Sequence, residues 1–117
     1  MSRPFCLALI AAALLPSPSL ADERVGTIER GTYLCELPGS AASDASIPQP
    51  HEGFRIVGGS RYESAAGGGT YVRQGRRLVM TSGPRGGTVY AITRGSVLRK
   101  LDANGEATRL RCLRQGR

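Results

Sequence analysis

Sixteen glycines, all of them beyond residue 25, divide the chain into short runs in which apolar and polar side chains alternate. That alternation is the signature of a strand, whose successive side chains point to opposite faces. In Gly31-Thr-Tyr-Leu-Cys-Glu-Leu37, Tyr33, Cys35 and Leu37 share a face. Phe54 and Ile56 do so in the next run, then Leu78 and Met80, then Thr88, Tyr90 and Ile92. Residues 61–64, 70–74 and 97–101 read as further short strands. In the last strand Thr108, Leu110 and Cys112 face inward and Arg109 and Arg111 outward. Glycine supplies the positive φ that tight turns demand. Turns are therefore expected at Gly58-Gly59, Gly67-Gly68-Gly69, Gly75, the Gly83–Gly87 segment, Gly95 and Asn104-Gly105. No segment carries a helical period over a helix's length. The expectation is an all-β domain of about eight short strands, an antiparallel meander closed as a small barrel or folded as a sandwich. Residues 22–30 form a lead-in, and residues 38–52, rich in Ser, Ala and Pro, are expected to be a mobile loop.

The first 21 residues have a different character. Arg3 precedes an unbroken apolar or small run from Phe5 to Leu15, too short to cross a bilayer. Pro16 and Pro18 follow, then Ser19-Leu20-Ala21, with small residues where a signal peptidase reads. This is the layout of a cleavable secretory signal, with cleavage expected after Ala21 and a periplasmic or secreted product. Cys6 leaves with the leader. Cys35 and Cys112 remain, and in an oxidising compartment such a pair is expected to form a disulfide. Two cysteines with no neighbouring histidine are too few ligands for zinc, so no metal site is expected.

Charge is unevenly spread. Residues 22–63 hold seven acids and four bases, whereas residues 64–117 hold eleven bases, ten of them Arg, and two acids. Arginine grips carboxylate and phosphate through paired hydrogen bonds, so the basic half points to anionic partners. Arg73, Arg76 and Arg77 flank the Gly75 turn, and Arg109, Arg111 and Arg114 crowd the last strand. These six are the candidate anion-binding residues. Nucleic acid is disfavoured as the partner, because the tyrosines that could stack on bases belong to the inward pattern. Catalytic chemistry finds little footing. His51, the lone histidine, lies in the expected mobile loop, which cannot hold a general base in place. Gly67-Gly-Gly-Thr70 has the glycines of a phosphate cradle but neither the following Lys-Ser/Thr nor a helix. No cofactor motif is present, and no enzyme activity is expected.

Three resemblances add to this reading. The segment Tyr71-Val-Arg-Gln-Gly75-Arg-Arg-Leu78-Val-Met-Thr-Ser-Gly83 resembles a hairpin of small lipocalin-like β-proteins. Tyr33-x-Cys35, Gly53-Phe54, Gly67-Gly-Gly-Thr-Tyr71, Ser82-Gly83 and the late Cys112 together resemble a group of uncharacterised small exported bacterial proteins, sometimes labelled elongation factor P. That factor itself is a longer, multi-barrel cytoplasmic protein with a modified lysine at a loop tip, where this chain has Arg85 in Pro84-Arg85-Gly86. The signal, the early Tyr-x-Cys and the late Cys are also similar to periplasmic inhibitors of c-type lysozyme. That resemblance implies an inhibitory loop at Gly58-Gly59-Ser60-Arg61-Tyr62, with Ser60, Arg61 and Tyr62 as contact residues. The expected function is a non-enzymatic exported binding module whose Arg-rich face holds anionic envelope polymer or an acidic exported protein. The alternative is an inhibitor of an exported hydrolase such as lysozyme.

Overall fold

The computed structural model of the protein describes residues 25–40 and 45–116. The export leader, its Cys6 and the cleavage point after Ala21 lie outside the described residues. Among the described residues there are ten strands: β1 (Val25–Gly26), β2 (Gly31–Leu37), β3 (Ile47–Pro48), β4 (Phe54–Gly58), β5 (Arg61–Ser64), β6 (Gly67–Gln74), β7 (Arg77–Met80), β8 (Val89–Arg94), β9 (Val97–Leu101) and β10 (Ala107–Arg114). A 3-10 turn spans Pro50–Glu52, and no α-helix occurs among the described residues.

Eight of the strands close into a barrel. From β4 to β10 each strand pairs antiparallel with the next in the chain, and β2 pairs with β4 on one side and with β10 on the other. Closure leaves none of these eight strands at a sheet edge, the hazard an open sheet must manage otherwise. The two-residue strands are accessories. β1 lies along Arg73 and Gln74, the end of β6 that β5 does not reach, and β3 lies along Glu36 and Leu37 of β2. Register shifts interrupt β4–β5, β8–β9 and β9–β10. Such bulges bend strands and sharpen their twist, which a ring of eight requires.

The alternation read from the sequence decides what fills the bore. Tyr33, Cys35, Phe54, Ile56, Tyr62, Tyr71, Leu78, Met80, Tyr90, Ile92, Leu98, Leu110 and Cys112 form one buried cluster. An eight-stranded barrel is just wide enough for side chains to fill, and five aromatic rings lie in this one. Tyr33 stacks on Phe54 with ring centroids 5.4 Å apart, and Phe54 meets Tyr90 at 5.5 Å. Cys35 and Cys112 are directly opposite residues of β2 and β10 and are joined by a disulfide. The bond thus crosses the seam at which the meander closes into a barrel.

Polar groups close both ends. At one end the 83–87 loop folds back and Arg85 reaches across the bore. Its Nη1 donates to Glu52 O at 2.6 Å, and its Nη2 donates to Gly53 O at 2.7 Å and His51 O at 2.8 Å. The guanidinium carbon lies 5.7 Å from the Phe54 ring centroid. Lys100 adds an ion pair to Glu52 at 3.2 Å. At the other end, Tyr33 donates its hydroxyl proton to Glu29 O at 2.8 Å, and Tyr71 Oη accepts from the Ile28 N–H at 3.1 Å. Burial pushes the Tyr33 hydroxyl pKa up to about 12, with Arg114 pulling it down and Glu29 raising it further. Burial also raises Tyr90, against the opposing charge of Arg85.

Two local expectations are corrected. The glycine triplet 67–69 is not a turn; it is the first part of β6, paired with β5, and the turn falls at Ala65-Ala66. The reason is space: a Cβ on Gly69 would collide with the Ser82 carbonyl oxygen and come within 2.8 Å of the Tyr62 ring. The 38–52 segment is not irregular throughout. Ile47–Pro48 pairs with β2, and the 3-10 turn at Pro50–Glu52 is held by Arg85. His51 is exposed on that turn, contributing its carbonyl to Arg85.

Candidate functional site

A cavity of about 270 Å³ at the barrel mouth is lined by Ile28, Tyr33, Arg73, Ile92 and Leu98, whereas most of the arginines singled out from the sequence lie on the outer wall. Pairing registers place Arg77 opposite Ala91, Ala91 opposite Arg99, Arg99 opposite Arg111, and Arg111 opposite Glu36. One row across β7, β8, β9, β10 and β2 therefore reads Arg, Ala, Arg, Arg, Glu. Alternation aims all five away from the core, because their neighbours Leu78, Ile92, Leu98 and Cys112 and Cys35 are inward. Arg94, at the end of β8, opposes Val97 in the adjacent outward row. A groove of about 560 Å³ runs here, lined by Glu36, Thr93, Arg94, Val97, Arg99, Arg111 and Leu113.

The electrostatics of this groove are unbalanced. Directly opposite side chains on antiparallel strands have Cβ atoms about 5 Å apart, and like charges so placed repel. Arg99 and Arg111 are such a pair. The sole carboxylate in the groove, Glu36, accepts from Arg111 Nε at 2.7 Å. Arg99 donates from Nη1 to Thr108 O at 3.3 Å, while its buried Nε has no hydrogen-bond partner. An anion in the groove would relieve the Arg99–Arg111 repulsion and meet forked donors suited to phosphate or carboxylate. No cluster of three or more metal-ligating side chains occurs among the described residues.

The six arginines singled out from the sequence divide into two groups. Arg77 and Arg111 stand in the row, and Arg109 is exposed further along β10. Arg76, in the β6–β7 turn, leans on β8 and donates to Thr93 O at 3.0 Å. Arg73 and Arg114 belong elsewhere. Arg73 donates to Gly75 O at 2.8 Å and Thr27 O at 3.4 Å. Arg114 donates to Arg30 O at 2.7 Å and pairs with Glu29 at 3.3 Å. Both fasten the lead-in over the barrel mouth, because their alternation places them on the inward side, opposite to Arg111. Arg94 and Arg99 were not expected in the site. Pairing the last two strands about the Asn104-Gly105 turn brings Arg99 close to Arg111, but the bulge between β9 and β10 fixes the final register.

The other candidate loop is differently disposed. Ser60 and Arg61 are exposed, and Ser60 has φ +70°, the left-handed region that glycine would occupy without strain. Tyr62 is not a contact residue: it is 1% exposed, donates to Ser82 O at 2.6 Å and accepts from the Arg85 N–H at 2.9 Å. It points into the core because it alternates with Arg61 and Glu63.

No family model, curated protein or solved structure matches the chain.

Proposed function

We propose that this protein is a non-enzymatic exported binding module that holds anionic envelope material on its arginine-lined wall. The observation that carries the reading is the directly opposed Arg99–Arg111 pair, with Arg77 and Arg94 beside it and one carboxylate for compensation. Repulsion between the two guanidinium groups is a cost that a bound polyanion removes. The disulfide supports export, because such bonds persist in oxidising compartments. No helix among the described residues is long and apolar enough to cross a membrane. The inhibitor alternative draws less support, because Tyr62 is committed to the core and leaves only Ser60 and Arg61 at the loop surface.

The test is binding of the oxidised protein to a soluble polyanion, long-chain polyphosphate, across a series of salt concentrations. Each phosphate contact contributes roughly −0.7 to the slope of log affinity against log salt for a flexible single chain. Arg99→Gln with Arg111→Gln is expected to weaken binding and flatten that slope by about one to two units. Arg73→Gln, at the barrel mouth, is expected to leave the slope unchanged. Equal slopes for the wild type and the double variant would sink the assignment of the wall.

A further inference from the structure

The row next to Arg99 and Arg111 begins with Arg94, which opposes Val97, and continues in aliphatic residues. Val97 opposes Leu113, and Leu113 opposes Leu34, so three aliphatic side chains line up across β9, β10 and β2. They lie two residues along from Arg99, Arg111 and Glu36, about 7 Å away on the same outward face. Leu34 is 49% exposed and Leu113 36%. A third exposed aliphatic residue, Ile47, sits in β3, which pairs with the same strand β2. Leu34 and Leu113, two of the three large aliphatic side chains exposed among the described residues, therefore lie beside the arginine row, while the third, Ile47, stands opposite the inward-facing Leu37.

A fully hydrated polymer gives such a row nothing to bury against. A bilayer surface does, because its anionic headgroups lie directly above acyl carbon. Building on the anion-binding reading, we propose that the β2–β9–β10 wall docks on a membrane surface carrying anionic lipid headgroups. Arg77, Arg94, Arg99 and Arg111 take the headgroups, and Leu34, Leu113 and Val97 enter the headgroup–acyl boundary. Charge complementarity selects the surface: Glu36 is the carboxylate within these two rows, and it is already paired with Arg111. Asp102 stands off at the β9–β10 turn, where its carboxylate accepts from the Asn104 and Glu106 N–H groups. Basic residues near an anionic leaflet and an inserted aliphatic residue contribute separately to surface binding, so two perturbations tell them apart.

The experiment is co-sedimentation of the oxidised full protein with vesicles, phosphatidylglycerol mixed with phosphatidylcholine against phosphatidylcholine alone. Soluble polyphosphate serves as the second probe. The wild type is expected on the anionic vesicles and not on the neutral ones. Leu34→Ser is expected to reduce partition on the order of tenfold while leaving polyphosphate affinity as it was. Leu34→Trp is expected to tighten vesicle binding, as an aromatic residue at the interface does. Far-UV circular dichroism checks that both variants keep the barrel. Binding to polyphosphate without binding to vesicles would overturn the membrane proposal and leave the anion reading standing. Leu34→Ser and Leu34→Trp both matching the wild type on vesicles would also overturn it. Failure on both probes would remove both readings.

Discussion

Replacing Arg85 tests whether the barrel's end is closed by one side chain. Arg85 gives three hydrogen bonds of 2.6–2.8 Å to the carbonyls of His51, Glu52 and Gly53. Hydrogen bonds from a charged donor are worth about 1.5–3 kcal/mol each in net terms. His51 is exposed and its carbonyl can turn to water, so it is discounted; the bonds to the half-buried Glu52 and Gly53 remain. The long 3.4 Å contact to Tyr90 Oη and the arrangement over Phe54 add little. Arg85→Met, which keeps the aliphatic stem, is therefore expected to cost about 3–6 kcal/mol in denaturant unfolding. Arg85→Lys would recover a part, since an ammonium reaches one or two carbonyls but cannot fork across three. Arg76→Gln is the reference: its single bond to Thr93 O lies at the surface and should cost under about 1 kcal/mol. If Arg85→Met falls within the range of Arg76→Gln, water serves those carbonyls equally well and the plug has no energetic role.

Removing the disulfide by Cys35→Ser with Cys112→Ser frees a chain segment of sequence separation 77. Chain-entropy arguments give a destabilisation of about 4.5 kcal/mol in the same unfolding assay. Gly69→Ala should destabilise by about 2–3 kcal/mol, because the clash is with backbone at Ser82 and no rotamer relieves it. A loss under about 0.5 kcal/mol would show that the 81–87 loop moves freely. Alkaline titration should also unfold the barrel. The Tyr33 pKa is raised in the folded state, so the folded protein holds its proton more tightly than the unfolded chain. The stabilisation from that proton is complete below about pH 10, the ordinary tyrosine value, and is lost as pH rises towards about 12. Tyr90 acts in the same direction. Tyrosinate absorbance followed beside circular dichroism checks this; ionisation of all tyrosines near pH 10 without loss of structure would contradict it.

Much of the architecture was legible because it depends on local pattern. Tyr33-x-Cys35, Phe54-x-Ile56, Leu78-x-Met80 and Leu110-x-Cys112 each announce an inward face, and their partners in the barrel are their neighbours in the chain. The disulfide was legible because two cysteines on inward faces have few alternatives. The glycine triplet misled because local sequence gives a turn and a crowded strand the same composition; only the approach of Ser82 and Tyr62 separates them. Arg85 lies within the Gly83–Gly87 turn segment, and nothing local says that this segment will fold back over the bore. The arginine wall was half legible. Outward placement of Arg109 and Arg111 follows from alternation, and so does the inward placement of Arg114. Bringing Arg99 and Arg111 face to face needs a cross-strand register that a bulge adjusts.

The position of the disulfide also sets how the molecule bears mechanical load. The seam between β2 and β10 is where the first and last strands of the barrel meet: the Gln115 N–H donates to Thr32 O, and Arg114 reaches Arg30 O. Pulling on the termini of the oxidised protein extends only what lies outside Cys35 and Cys112, because the covalent bond carries the tension past everything between them. Reduction puts the whole span of 77 residues into the force path. At roughly 3.3–3.6 Å per extended residue that releases about 260 Å of chain. A tether attached at either end would pull on a short link in an oxidising compartment and on a long one in a reducing compartment.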